Sequence, residues 1–276
     1  MKINIKEYVD KRKKELKAEI DQMKRKPSLL IMQVGDNPAS NSYVKGKIKD
    51  ATEIGITTSL FKVNSPQEIV SFLSKMPLSL TYDGIIIQEP SSLNPDERRK
   101  ALKIIEPTRD VDGFLPNSNF KPCTPKGILN IIHQEYLGNL YGTTVVIIGR
   151  GELVGKPLAA MLIEEGATVI SCNSKTKNLT SLIKQADILV TAAGYRDLIT
   201  VDMLPEVRDI LIIDAGINVD EEGKLHGDCS KELYDKKNIL ITPVPGGVGL
   251  MTRLALMENV VEASKDRQEL ERLEDF

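Results

Sequence analysis

The segment TTVVIIGRGELVG, residues 143–155, decides how this chain is read. Its first six residues are an apolar, β-branched run of the kind that forms a strand buried on both faces. Gly149, Gly151 and Gly155 follow directly, and KPLAAMLIEE, residues 156–165, has the apolar spacing of a helix. Strand, glycine turn and helix together make a dinucleotide-binding unit. The glycines let the backbone approach a pyrophosphate, which then sits on the N–H groups and positive dipole of the helix start. Gly149, Arg150 and Gly151 are therefore candidate cofactor-binding residues. The competing reading is a tight turn with no ligand, and the flanking elements weigh against it.

Downstream, residues 167–172, 187–192, 210–214 and 239–242 are further short apolar runs, each of parallel-strand length. Together with 143–148 they predict a doubly wound sheet. The end of the second strand bears on which dinucleotide is bound, because an NAD site places Asp or Glu there to accept from the ribose 2′-hydroxyl. This chain has Asn173-Ser174-Lys175-Thr176 instead. A 2′-phosphate meets no carboxylate there, and the Ser174 hydroxyl with charge from Arg150 and Lys175 suits it, so NADP is expected over NAD. The alternative is that Ser174 only caps a turn and Lys175 is solvated.

Upstream, residues 6–26 read as a charged amphipathic helix, a solvated face far more than a nucleic-acid patch. Residues 28–34 (SLLIMQV) read as a strand ending at Gly35-Asp36-Asn37-Pro38, and Ser40 as the cap of a helix to about Ile54. Strands at 59–63 and 84–88 alternate with helices at 65–76 and 95–104, a second parallel α/β pattern. The Pro-, Asn- and Asp-rich stretch 107–125 looks like a boundary. The reading is an α/β protein of two α/β domains. Residues 1–119 form the first, rejoined by a C-terminal helix (250–276) that packs back on it. Residues 120–249 form the second, a Rossmann-type domain, and the substrate is expected in the cleft between them.

With 276 residues and 37 Lys and Arg against 39 Asp and Glu, the net charge is −2, so no global field favours nucleic acid or an anionic membrane. No apolar run approaches membrane-spanning length, and the N-terminus lacks the pattern of a signal peptide, which gives a cytoplasmic expectation. Cys123, Cys172, Cys229, His133 and His226 lie scattered without metal-ligand spacing. No metal site is expected.

Tyr43 and Lys47, four apart, share one helix face. Taken with Gln88, the segment Arg109-Asp110-Val111-Asp112-Gly113-Phe114, Pro122-Cys123-Thr124-Pro125 and Thr242-Pro243-Val244-Pro245-Gly246-Gly247-Val248-Gly249, in this order, the chain closely resembles methylenetetrahydrofolate dehydrogenase/cyclohydrolase. The resemblance runs from Ile31 to about Val260. It implies NADP-dependent oxidation of methylenetetrahydrofolate to the methenyl form, and hydrolysis of that cation to formyltetrahydrofolate, in one-carbon metabolism. It further implies a homodimer whose small-molecule partners are tetrahydrofolate derivatives. Lys47 matches the family lysine that moves the proton in hydrolysis, with Gln88 orienting it and Tyr43 placing the folate rings. Asp112 matches the aspartate that accepts from the pterin N–H groups. Pro245, Gly246 and Gly247, in a loop over 243–249, are placed near substrate and nicotinamide, and Ile217 on the nicotinamide side unless it only packs. Asp110 is read as a loop aspartate holding backbone N–H groups, and Cys123 as a packed residue.

The chain departs from the family at Glu89-Pro90-Ser91-Ser92, which makes the wall beside the substrate more polar, and at Arg109, Gly151 and Leu250. No proposed catalytic residue is lost. Two rivals remain: a monofunctional NAD(P)-dependent dehydrogenase, and a nucleotide-sensing module without turnover. The second has no use for Lys47, Gln88 and Asp112.

Overall fold

The computed structural model describes residues 1–75, 82–88, 94–206 and 208–274. The chain divides into two compact units, residues 10–123 with 253–276 and residues 1–9 with 124–252. Residues 1–9 join the second unit because the Ile3 N–H donates to the Ile241 carbonyl at 3.0 Å and Lys2 bridges Ile241. The sequence-based division at 119 does not contain that contact. Among the described residues no helix is long and apolar enough to cross a membrane.

In the first unit, β1 (Ser28–Val34) is the middle of a parallel sheet ordered β2-β1-β3, with β2 (Thr57–Val63) and β3 (Gly84–Ile87) beside it. All but the first residue of β1 are buried, as its largely apolar run requires between helical layers. A bridge from Ile85 to Asp110 extends the sheet past β3. The core packs Leu30, Met32, Ile69, Leu73, Ile85 and Ile105 together. α1 (Ile5–Asp21) precedes β1, and α2 (Pro38–Ile54), α3 (Pro66–Lys75) and α4 (Pro95–Leu102) connect the strands. Asn94 caps α4 in a capping box with Glu97. Ser40, expected as the cap of α2, instead lies inside that helix. Pro38 is its first residue, and Asn37 Oδ1 accepts from the Ser40 N–H at 3.2 Å. Met76, the expected end of α3, lies outside the described residues.

The C-terminal helix α8 (Val248–Glu274) packs its later turns on this unit, as expected. Asn259 Nδ2 donates to the Val111 carbonyl at 2.9 Å, and Glu258 accepts from Arg12 at 3.0 Å.

Asp83 ties the start of β1 to the start of β3. Its Oδ2 accepts from the Ser28 N–H at 2.8 Å and from Arg25 Nη1 at 2.9 Å. Burial opposes this charge, but the bonds from Arg25 and Ser28 prevail and hold the carboxyl below its ordinary range. A depressed folded value stabilises fully above the unfolded carboxylate value of about 3.9, and the stabilisation is lost as pH falls through the folded value. Because Arg25 is partly exposed, most of the loss in Asp83→Ala comes from the Ser28 N–H, roughly 1–3 kcal/mol at pH 7. Urea unfolding should show this difference shrinking below about pH 4. A difference that does not vary with pH would mean the charge contributes nothing.

The second unit is a five-stranded parallel sheet ordered β10-β7-β6-β4-β5. Its strands are β4 (Thr144–Ile148), β5 (Thr168–Cys172), β6 (Ile188–Thr191), β7 (Ile210–Asp214) and β10 (Ile239–Ile241). α5 (Cys123–Glu135) leads into β4, α6 (Gly155–Glu164) joins β4 to β5, and α7 (Leu179–Ile183) joins β5 to β6. The chain goes outward from β4 to β5 and returns to β6 on the other side of β4. That reversal is the switch point beyond whose carboxyl edge α/β sheets bind ligands. A small hairpin, β8 (Asn218–Val219) with β9 (Leu225–His226), and α7 were not foreseen from the sequence.

Candidate active site

In the first unit, Tyr43 and Lys47 occupy successive turns of α2. Tyr43 is half-buried, and burial pushes its phenol up while the nearby Arg253 pulls it partly back. Lys47 is 6% exposed and has no carboxylate within ion-pairing distance among the described residues. Lys13, the other buried lysine there, binds Asp50 at 2.7 Å and Glu53 at 2.8 Å. Removing a charge from water costs several kcal/mol unless it is paired, so the contrast distinguishes a structural lysine from a different kind.

Gln88 follows β3 directly and is buried, with its N–H on the Met32 carbonyl at 2.8 Å. Asp112 lies in the turn that follows the bridge of Asp110 to Ile85, where the Gly113 N–H donates back to the Asp110 carbonyl at 2.9 Å. The two aspartates of this segment differ in what they do. Asp110 Oδ2 accepts from the Leu115 N–H at 2.7 Å, and burial holds its carboxyl above the ordinary range. The buried Asp112 carboxylate makes no hydrogen bond among the described residues. Cys123 is buried, and its thiol donates to the Val111 carbonyl at 3.2 Å, a packed position as expected.

Sequence reasoning missed Gln33, buried on β1 in register with Gln88, whose Nε2 donates to Asn41 Oδ1 on α2 at 2.7 Å. The signal was a polar residue enclosed by apolar ones, Met32 before it and Val34 after it. The Glu89-Pro90-Ser91-Ser92 departure lies outside the described residues.

In the second unit, the turn after β4 has the shape a pyrophosphate needs. Gly149 has φ +113°, and a Cβ on it would lie 2.3 Å from the Ala192 carbonyl oxygen. At Gly155 a Cβ would lie 1.9 Å from the Gly149 oxygen, while Gly151 faces open space. The start of α6 has no side-chain cap, so its first N–H groups are not taken by one. A dinucleotide fits this cradle. Arg150 folds back on the end of β5, its Nε and Nη2 donating to the Ser171 carbonyl. Beyond it, Asn173 and Thr176 form the turn: Asn173 Oδ1 accepts from the Lys175 N–H, and Thr176 Oγ1 from the Asn173 N–H, both at 2.9 Å. The exposed Ser174 therefore does not cap it, and its hydroxyl makes no hydrogen bond among the described residues.

Ile217, between β7 and β8, is 52% exposed, which leaves a packing role without support. Pro245, Gly246 and Gly247 form the turn into α8. The expected loop to 249 is shorter, because the helix already starts at Val248.

Two buried carboxylates join the loops at the carboxyl edge of β6 and β7. Asp228 Oδ2 accepts from Thr191 Oγ1 and the Ala193 N–H, both at 2.7 Å, and its Oδ1 from the Tyr195 N–H at 2.8 Å and Asn218 Nδ2 at 3.1 Å. Asp214, in turn, accepts from the N–H groups of Gly216, Asp228 and Cys229, each at 3.0 Å. Burial holds Asp214 above the ordinary carboxylate range. Burial also pushes the Cys229 thiol up, keeping it inert.

Residues 3–112 match the tetrahydrofolate dehydrogenase/cyclohydrolase catalytic domain, and residues 122–268 the NAD(P)-binding domain of the same family. The bifunctional protein FolD of Oceanobacillus iheyensis is 40% identical, over 98% of this chain and 99% of its own. The crystal structure of the bifunctional FolD methylenetetrahydrofolate dehydrogenase/cyclohydrolase of Campylobacter jejuni is 37% identical, with a TM-score of 0.87 over 96% of this chain and 98% of that one. The Trypanosoma brucei enzyme, solved with NADP and an inhibitor, is 26% identical, with a TM-score of 0.87 over 96% of this chain and 97% of its own. With both domains matched along nearly its whole length, the chain belongs to the tetrahydrofolate dehydrogenase/cyclohydrolase family, as a bifunctional enzyme of one-carbon metabolism.

Proposed function

We propose that, of the family's two activities, hydrolysis runs on Lys47 with Gln88, and that oxidation of methylenetetrahydrofolate takes NADP at Gly149, Arg150, Gly151 and Ser174. The observation that carries the first assignment is the burial of Lys47 without a carboxylate among the described residues. A cation whose desolvation is not offset inside the fold has its role in the substrate-bound state.

Oxidation asks little proton chemistry of the protein. Hydride leaves a carbon flanked by two folate nitrogens whose lone pairs stabilise the methenyl cation, and NADP, when bound, accepts it. The chain's part is to hold that carbon in place, with Tyr43 against the ring system and Asp112 accepting from the pterin N–H groups. Pro245, Gly246 and Gly247 supply the substrate-side turn, and Ile217 an apolar surface for the nicotinamide. Hydrolysis adds water to the methenyl carbon. Two protons leave the attacking oxygen as a C–N bond breaks, one released to solvent and one delivered to the departing nitrogen. Lys47 Nζ carries the proton, and the Gln88 amide keeps Nζ and water aligned. The resemblance also supports a homodimer in the cytoplasm as part of this reading.

The deciding experiment supplies methylenetetrahydrofolate with NADP⁺ or NAD⁺ and follows methenyl absorbance. A rise with NADP⁺ followed by decay to the formyl product supports the reading. A rise without decay leaves a monofunctional dehydrogenase, and no rise with either cofactor overturns it. Asp112→Ala should raise the folate KM of both reactions about tenfold, since a lost pterin contact weakens binding before either step. An effect on one reaction alone would make Asp112 a participant in that step.

A further inference from the structure

Tyr43, Gly46, Lys47 and Asp50 form one stripe of α2, spaced as neighbours on a helix face. Arg253, from α8, lies along it. Its Nη1 is 2.8 Å from where a Cβ at position 46 would stand, so the missing side chain there makes room for the guanidinium. Its Nε donates to Asp50 Oδ2 at 2.6 Å, and its charge acts on Tyr43. The other Asp50 oxygen takes the Lys13 ammonium at 2.7 Å. Lys13 is shared with Glu53 at 2.8 Å, so Arg253 completes the charge balance of the two carboxylates, and the same bond fixes the direction of its guanidinium.

That direction matters because the rest of the guanidinium is not used. Beyond its Nε bond, Arg253 makes no hydrogen bond among the described residues, and its side chain keeps 24% of its accessible surface. A planar fork fixed at Nε, with both Nη groups unspent over position 46 on the α2 stripe of Tyr43 and Lys47, is suited to a carboxylate or carbonyl oxygen. Folates carry both: carboxylates on the glutamyl portion, and carbonyls on the pterin and benzoyl groups.

We propose that Arg253 is a specificity-determining residue for the folate, its Nη groups taking a substrate oxygen and Asp50 aiming them. This rests on reading Tyr43 and Lys47 as the folate face of α2. Arg253→Met is compared with the unaltered enzyme on full methylenetetrahydrofolate and on an analogue lacking the glutamyl portion. The expected result is a folate KM about tenfold higher in both reactions, with kcat held within about twofold. NADPH affinity by calorimetry should stay near its original value, whereas the thermal unfolding midpoint should fall modestly, since Asp50 keeps only its share of Lys13. Arg253→Lys, which keeps charge but not the fork, should recover only part of the loss. Loss confined to the full substrate assigns the carboxylate, and equal loss on both substrates assigns a carbonyl. An unchanged KM, or a fall in kcat at constant KM, overturns the proposal. If Lys47→Met still stops hydrolysis in that case, only the role of Arg253 fails. If Lys47→Met leaves hydrolysis intact, the underlying reading fails with it.

Discussion

Lys47→Met is expected to lower kcat for methenyl hydrolysis by roughly 10²- to 10⁴-fold, the usual contribution of a positioned proton-transfer group. Methionine has nearly the same length and fills the same buried space. Since Lys47 has no carboxylate partner among the described residues, the change orphans no charge, and the thermal midpoint should hold or rise. NADPH binding should be nearly unaffected, because the glycine turn belongs to the other unit. Oxidation should suffer far less than hydrolysis, since hydride transfer requires no proton from Lys47. Stopped-flow decay of methenyl absorbance measures the first effect and calorimetry the second. Hydrolysis at the original rate in this variant would refute the assignment of Lys47.

The second large effect concerns cofactor choice. A 2′-phosphate carries close to two negative charges at neutral pH, and Arg150 stands against the end of β5, where an NAD enzyme would place a carboxylate. The Asn173 side chain is spent on the turn, and the site proposed above gives the phosphate the Arg150 guanidinium and the Ser174 hydroxyl. Charge-assisted bonds contribute about 1.5–3 kcal/mol each, so Arg150→Ala should weaken NADP⁺ binding by roughly ten- to a hundredfold. NAD⁺ lacks the phosphate and should lose much less. Adding Ser174→Asp places a carboxylate beside the phosphate position and should move preference further toward NAD⁺, read as the ratio of kcat/KM for the two cofactors. An equal loss for both cofactors, or an unaltered enzyme that already prefers NAD⁺, would show that the phosphate is held elsewhere.

What the sequence made legible was what short-range pattern controls. The runs 28–34 and 143–148 are uncharged and mostly apolar, and both became buried strands with a neighbour on each side, because a strand covered on two faces has no solvent side to mark with alternating polar residues. The glycine turn after β4 was equally readable, since its spacing is set by backbone clearance within a few residues. The hairpin of β8 and β9 escaped because strands of two residues carry no period to detect. Helix α8 starts at Val248 despite Gly249 in its first turn, a case of packing overriding local propensity. At the site, Tyr43 and Lys47 share a face by simple helical spacing and could be paired on sight. Asp50 and Arg253 stand 203 residues apart in the chain, and no local motif links them. Asp110 and Asp112 were told apart in the sequence only through the family resemblance, and the Leu115 N–H on Asp110 agrees with reading Asp110 as the aspartate that builds the loop.

The paired carboxylates Asp214 and Asp228 set limits on how this enzyme can be recombined with its relatives. Together they hold backbone or side-chain donors from residues 191–195, 216–218 and 228–229, three stretches that look independent in the chain. A chimera that exchanges only one of them presents a buried carboxylate with displaced donors, at a cost of about 1–3 kcal/mol for each partner lost. Crossovers placed before Thr191 and after Cys229 carry the whole set across intact, whereas a breakpoint anywhere between separates acceptors from the donors they evolved with. These loops are thus inherited as one block, and a library meant to vary them has to vary them together.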